Sequence, residues 1–520
     1  MRKRNFLVFG LLLTCFCGEA ISVQAQSKDA RAFLEEAARV MGGLHRLRAL
    51  KNQVVESEGQ QFEPEQALRA GGQPRHVADF RYKLTRDITK PRLRLEWDGK
   101  TFYPRESPVR YLKIIDGNVG MLQEGGATET SKQTRLHSGR LASLGREERR
   151  APVNIVVTAL GQSSLKRYRD VQLNGKAQRV LAFREKGEEF RIYLDVATKV
   201  PTQVEILEDD TIYGDSRYTL RYADWRKVDG VVVPFSLRYE IHGILLQSER
   251  ILSVRHNVIL PPETFSIPES VRHQKIEGKP IPSEWLMRRL AMNVSYLDFG
   301  KDIPVQIVPL ADGILHAKGT SHNSVIIEMR DYLVVVEAAL YEERSQKVIA
   351  AIKQRFPTKP IRYIIPTHFH NDHSGGMRAY MAEGATIIAP AISTGHYERM
   401  ARAPHTIRPD SLEKGHKSVV IEGITGRRLL TDGNRQIEIY PYPTAHADDY
   451  QIIYLRREKL LIEADHVSPR AGGSIRPGEL PRQILEGIEQ FNLNVETIVG
   501  IHGDTGTYQD LRNAVRGPAG

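Results

Sequence analysis

The chain has 520 residues, 41% hydrophobic and 26% charged, with 74 Lys and Arg against 63 Asp and Glu for a formal net charge of +11. That length exceeds what one hydrophobic core ordinarily serves, so two domains are expected, and the composition excludes a disordered or fibrous chain. The basic residues are scattered rather than blocked with interleaved aromatics, which argues against nucleic acid as a partner and leaves room for weak peripheral contact with an anionic cell envelope or an acidic substrate.

At the start of the chain, Arg2, Lys3 and Arg4 precede an apolar run from Phe6 to Cys17, and Val23-Gln24-Ala25 offers a small-residue cleavage site before Gln26. This is the layout of a secretory signal peptide over residues 1–25, and the apolar run is short for a membrane span. It predicts a periplasmic or secreted protein. A buried N-terminal helix and a lipoprotein anchor are the alternatives. Thr14 before Cys15 and Phe16 before Cys17 do not read like the small residue expected before a lipidated cysteine. Both cysteines lie in this segment, so cleavage would leave no disulfide, no thiolate ligand and no cysteine nucleophile. The formal charge would fall to about +9 by the same counting rule.

Residues 28–48 read as a helix from the spacing of Phe33, Leu34, Ala37, Val40 and Met41. From Val54 to Val258 the pattern is β. Alternating or β-rich runs fall at 77–84, 93–97, 111–115, 179–183, 190–194, 218–222, 231–239 and 244–254, with turn signals at Asp116-Gly117-Asn118, Asn174-Gly175 and Asp229-Gly230. Regular strands joined by hairpin turns predict one large antiparallel sheet. One helical stretch, 139–160, interrupts it. The segment from Tyr222 through Asp224-Trp225 to Pro234, continuing to 257–268, resembles the tail of an outer-membrane lipoprotein-sorting domain. That resemblance covers roughly residues 28–270. It implies a strongly curved, half-open antiparallel β-sheet around helices that can hold acyl chains, so a lipid-like ligand and a plain scaffold both stand open for a domain at 26–270.

Residues 271–303, with Pro280 and Pro282 and few strand signals, read as a linker with a short helix at 283–292. Strands are then expected at 325–329 and 332–336, a helix at 341–355, a strand at 361–365, a helix at 375–382 and a strand at 385–389. Later come strands at 436–440, 451–455 and 460–464, a helix at 481–491 and a strand at 497–500. This alternation predicts a layered α/β domain at 304–512, with a tail at 513–520.

His368 and His370 follow the apolar run 361–365 and Pro366-Thr367; Asp372 and His373 come next, and Gly375-Gly376 lets the chain turn into a helix. Four ligand-type residues in six positions cannot face one point from a regular strand, because side chains there alternate. A loop can wrap two adjacent points, which suits two ions held by imidazole and carboxylate. A lone histidine is usually structural, whereas His-x-His-x-Asp-His at the end of an apolar strand is a specific metal signal.

With that motif, residues 304–512 resemble the metallo-β-lactamase superfamily along the whole domain. Thr444-Ala445-His446-Ala447-Asp448-Asp449 is similar to the segment supplying the third histidine of the first metal. The run from Leu461 to Asp465 is similar to the strand ending in the bridging aspartate, and Val499 to Asp504 to the final histidine segment. The resemblance implies an αββα sandwich as the C-terminal domain. It implies His368, His370 and His446 on a first ion, Asp372, His373 and His502 on a second, and Asp465 shared. Two zinc ions are expected, with iron or manganese as alternatives, and Asp372 and Asp465 as catalytic carboxylates. Two divalent cations ~3.5–4 Å apart lower the pKa of a bridging water and polarise the oxygen under attack. Gly-x-Ser-x-Gly is absent, which weakens a serine-hydrolase reading.

Where many relatives carry a strand-end aspartate, this chain has Glu337 after Val334-Val335-Val336. It either orients a ligand histidine or is a salt-bridged strand end. The polar stretch 392–432, with His396, His405 and His416, is a candidate lid or a plain insertion. His322 is expected to support the site from outside the ligand set or to be structural, and His466 to lie near the second ion or point away. The implied function is an exported zinc-dependent hydrolase of an ester, thioester, lactone or amide-type small-molecule substrate, with a lipid-like one open. An iron-dependent oxidoreductase in the same cage and a lipid or lipoprotein carrier with an accessory metal domain are the alternatives.

Overall fold

The Asn174-Gly175 and Asp229-Gly230 signals mark two-residue hairpins in the computed structural model, which describes residues 27–103, 106–125, 131–276 and 303–517. All four residues take left-handed φ, from 51° to 80°, and the flanking pairs are Leu173 with Lys176 and Val228 with Val231. Such turns match the right-handed twist of the strands they join. The signal-peptide reading and the expected helix at 283–292 lie outside the described residues.

The chain divides into two compact units that are not contiguous in sequence. Among the described residues, the first gathers those up to 61, 77–207 and 217–274; the second gathers 62–76, 208–216 and those from 275 onward. The first unit carries a 13-stranded sheet in which chain neighbours are also sheet neighbours, except that Gln133–Arg135 and Lys166–Leu173 form its two opposite edges, and the strands Asn52–Glu63 and Ile244–His256 pair antiparallel at its middle. Its helices are residues 27–40, Leu44–Arg48, Ser138–Arg149 and Ile155–Leu160, with a short one at Glu269–Arg272. The helical stretch expected over 139–160 is thus two helices. Pro152 has no N–H to donate and disfavours helical geometry in Ala151, so the chain breaks there.

The second unit holds a seven-stranded and a six-stranded sheet. Along Leu333–Val336 the side chains alternate: Leu333 and Val335 join a core shared with Val348, Ile352, Tyr380 and Met400 of the helices. Val334 and Val336 join a core shared with Ile437, Ile453 and Ile462 of the other sheet. Period-two burial on both faces makes this strand an inner layer. Helix Glu479–Gln490 covers the second sheet through Ile484, Leu485 and Ile488. The layers are therefore helix, sheet, sheet, helix. Residues 392–432 are not an open lid. They form helices Thr394–Arg402 and Ser411–Gly415 and strands Ile421–Ile424 and Arg428–Thr431, because Tyr397, Met400 and Leu412 give this polar stretch an apolar face that packs into the core. Among the described residues, no helix is long and apolar enough to cross a membrane.

Candidate metal centre

Strand Ile361–Ile365 is anchored by Ile364 in one core and Ile365 in the other, so the loop beginning at Pro366 leaves from a rigid edge. His368 and His370 sit on that loop, and Asp372 and His373 in the single helical turn Asn371–Ser374. The two glycines that follow are required by close approach. A Cβ on Gly375 would collide with the carbonyl of Leu340, and one on Gly376 with the Ser345 hydroxyl. His446 lies between strands Gln436–Pro441 and Gln451–Leu455, Asp465 just past Leu460–Glu463, and His502 just past Thr497–Gly500.

These residues converge as two groups. His368, His370, His446 and Asp465 form one, His322, Asp372, His373 and His502 the other, and within each the ligand-type atoms lie within 4.8 Å of one another. In the first, His368 Nε2 is 2.9 Å from His370 Nδ1 and 3.1 Å from His446 Nε2. Asp465 joins the groups: its Oδ2 is 2.6 Å from His446 Nε2, and its Oδ1 is 2.6 Å from His502 Nε2 and 3.1 Å from His373 Nε2. His322, expected outside the ligand set, turns Nε2 to within 3.2 Å of Asp372 Oδ2 and packs edge-on against His502.

Outer partners aim these rings. The His373 Nδ1–H donates to Glu337 Oε2 at 3.1 Å, while the Thr367 hydroxyl donates to the same oxygen at 2.8 Å and accepts from His368 Nδ1 at 3.0 Å. Glu337 therefore orients two histidines, one directly and one through Thr367, and leaves Nε2 of each facing the centre. It sits fully buried at a φ of 80°, a left-handed conformation that costs energy in a non-glycine residue. His370 is turned the other way: Nε2–H donates to the Ala67 carbonyl at 2.9 Å, so Nδ1 faces the centre. Tyr450 donates to Glu463 beside Asp465. His466 packs on Tyr450 and His446, with neither ring nitrogen hydrogen-bonded. His396 is buried against Phe369 and Tyr397, and His405 pairs with Asp209 at 2.7 Å; neither joins the two groups.

The electrostatics favour a cation. Burial, then the neighbouring imidazoles, hold His368 and His370 well below the usual histidine range, which keeps both neutral. Burial also opposes charge on Asp372 and Asp465, but His373 and the other imidazoles outweigh it and hold both carboxylates well below their usual range. Neutral imidazole and ionised carboxylate are the forms that bind metal.

The sequence profile of the metallo-beta-lactamase superfamily matches residues 317–502. An alkyl/aryl-sulfatase of Saccharomyces cerevisiae is 30% identical over 88 residues, 16% of this chain. A linear primary-alkylsulfatase of a Pseudomonas strain is 36% identical over 58 residues, 11% of this chain. The chain spans only 14% and 11% of the lengths of these two relatives. Among solved structures, a metallo-beta-lactamase from Pontibacter korlensis covers 41% of this chain and 98% of its own at 15% identity and a TM-score of 0.31. The stereoselective inverting sec-alkylsulfatase of a Pseudomonas species covers 39% of each chain at 17% identity and a TM-score of 0.29. The similarity to the metallo-β-lactamase superfamily thus falls on residues 317–502, within the second unit. Its two His and Asp groups are of a kind suited to divalent metal ions.

Proposed function

We propose that this chain is an exported hydrolase working with two zinc ions. His368, His370 and His446 hold the first, Asp372, His373 and His502 the second with His322 against Asp372, and Asp465 is shared. The observation that carries the reading is Asp465, a single carboxylate that turns one oxygen to each group, 2.6 Å from a histidine nitrogen on either side. Imidazole and carboxylate without thiolate suit a borderline-soft divalent ion. When bound, two such ions supply an activated water and polarise the bond under attack. The chain's residues supply the rest. Asp372, held ionised, is placed to take up the proton that the attacking water gives up, and Glu337 and Ala67 keep three imidazoles correctly turned.

Both curated relatives are named as sulfatases. A sulfate ester of a small alcohol therefore heads the substrate classes, ahead of carboxylic esters, thioesters, lactones and amides. Export rests on the basic start and apolar run of residues 2–17. The test is a panel of an alkyl sulfate, an aryl sulfate, a carboxylic ester, a lactone and a β-lactam, assayed on zinc-loaded protein with His368→Ala as control. The expected result is two bound zincs per chain and turnover that His368→Ala abolishes. A single bound iron, or turnover that survives His368→Ala, would sink the reading.

A further inference from the structure

The second unit includes a stretch from early in the sequence, residues 62–76, which connects strands Asn52–Glu63 and Arg75–Asp87. A connection of this kind is ordinarily exposed and expendable. The first part of this one, Glu63 to Ala67, is buried. Pro64, Glu65 and Gln66 form a 3-10 turn in which all three residues are buried. The Gln66 amide donates to Asp372 Oδ1 at 2.7 Å and to Asn371 Oδ1 at 3.0 Å. Both of its N–H groups are thereby used, so the amide's orientation is specified. The Asp372 carboxylate is divided, with Oδ1 facing Gln66 and Oδ2 facing His322. One residue on, the Ala67 carbonyl accepts the His370 Nε2–H. Arg75 clasps the stretch, donating from Nε to the Gln66 carbonyl and from Nη2 to the His446 carbonyl at 2.9 Å.

We propose that Gln66 and Ala67 are a working part of the metal centre, with Gln66 as the positioning residue for Asp372 and the Ala67 carbonyl fixing which nitrogen of His370 faces the ions. The inference rests on the two-ion reading above. An imidazole presents Nδ1 to a metal only if Nε2–H has an acceptor elsewhere, and no side chain is needed when a carbonyl is already in place. An amide donating to an ionised carboxylate makes a charge-assisted bond, stronger than a neutral one. It therefore holds Asp372 Oδ2 toward the imidazoles. Arg75 links the groups on either side, so three of the seven positions expected from the sequence, His370, Asp372 and His446, depend on one stretch.

The test is Gln66→Met, which keeps length and apolar bulk while deleting the donor, read by competition with a chelator for zinc and by the visible spectrum of the cobalt-substituted protein. Loss of an outer partner is expected to weaken metal affinity by about 10–100-fold, to change the cobalt spectrum and to lower kcat more than it changes KM. Arg69→Ala is the control. Arg69 lies on the same stretch but pairs with Asp448 at the surface, and parent affinity and spectrum are expected. Parent affinity and spectrum in Gln66→Met would overturn the proposal. Failure of the parent protein itself to bind zinc or cobalt would instead overturn the two-ion reading. If Gln66→Met does not fold, hydrogen exchange on the parent decides: zinc should slow exchange across 62–76, and unchanged exchange there overturns the proposal.

Discussion

The two halves of the metal centre are built from different charge. Around Asp465 Oδ2 stand His368, His370 and His446, the first two held neutral by burial. Around Oδ1 stand His322, His373 and His502 with a second carboxylate, Asp372. Burial works against a charge on His373, yet Asp465, Asp372 and Glu337 together raise its pKa well above the usual value. His322, by contrast, is brought down to about 3 by burial and by His502, and so is a neutral donor. The first half is a cage of nitrogen donors; the second carries more negative charge and spreads its donors over more loops. Imidazole-rich sites suit zinc, while added carboxylate admits harder ions such as manganese. The two halves should therefore load unequally.

Asp465→Asn should have the largest effect, since it strikes both halves at once. Bound zinc should fall below one equivalent and activity by on the order of 10³-fold or more; elemental analysis beside turnover checks it. A variant that keeps one tight zinc would show that the halves are independent and that Asp465 is not shared. Glu337→Gln comes next. It weakens the acceptor for His373 directly and for His368 through Thr367, so zinc affinity should drop about 10–100-fold in both halves, measured by chelator competition. A loss confined to one half would mean that the Thr367 relay does not transmit orientation. His322→Phe should have the smallest effect and sharpens the contrast most. It keeps an aromatic ring and deletes only the nitrogens, so the second equivalent should weaken by about tenfold or less while the first is unchanged. Two unchanged equivalents by titration calorimetry would return His322 to a structural role.

The ligand-bearing loops are highly legible in the sequence. His368, His370, Asp372 and His373 crowd six positions behind an apolar strand, a density of imidazole and carboxylate that a core would not tolerate without a cation to bind. Strand limits in the second unit are also close, with 361–365, 451–455 and 497–500 observed as expected, because both-face burial leaves continuous apolar runs. The first sheet is less completely legible. Lys166–Leu173 escapes pattern reading since it is the last strand of its sheet and largely exposed, so little apolar pattern marks it. The stretch 392–432 reads as a loop because its few core residues are spaced among charges. Glu337 is legible as a departure from a family pattern, but which of its two roles it takes is not.

Residue type and local order by themselves determined that this chain has a dense set of metal-type donors, where most of them sit, and that a large hairpin-built sheet precedes them. These are local properties: alternation, turn chemistry and a dense histidine motif act within a few residues of one another. Only the tertiary structure decided that His322 stands among the donors, that Asp465 divides its oxygens between two groups, and that Gln66 and Ala67 reach Asp372 and His370 from 306 and 303 positions away. A glutamine side chain and a backbone carbonyl carry no signature in sequence. Their meaning comes from what the fold places within hydrogen-bonding distance, and that is set by the packing of the whole unit.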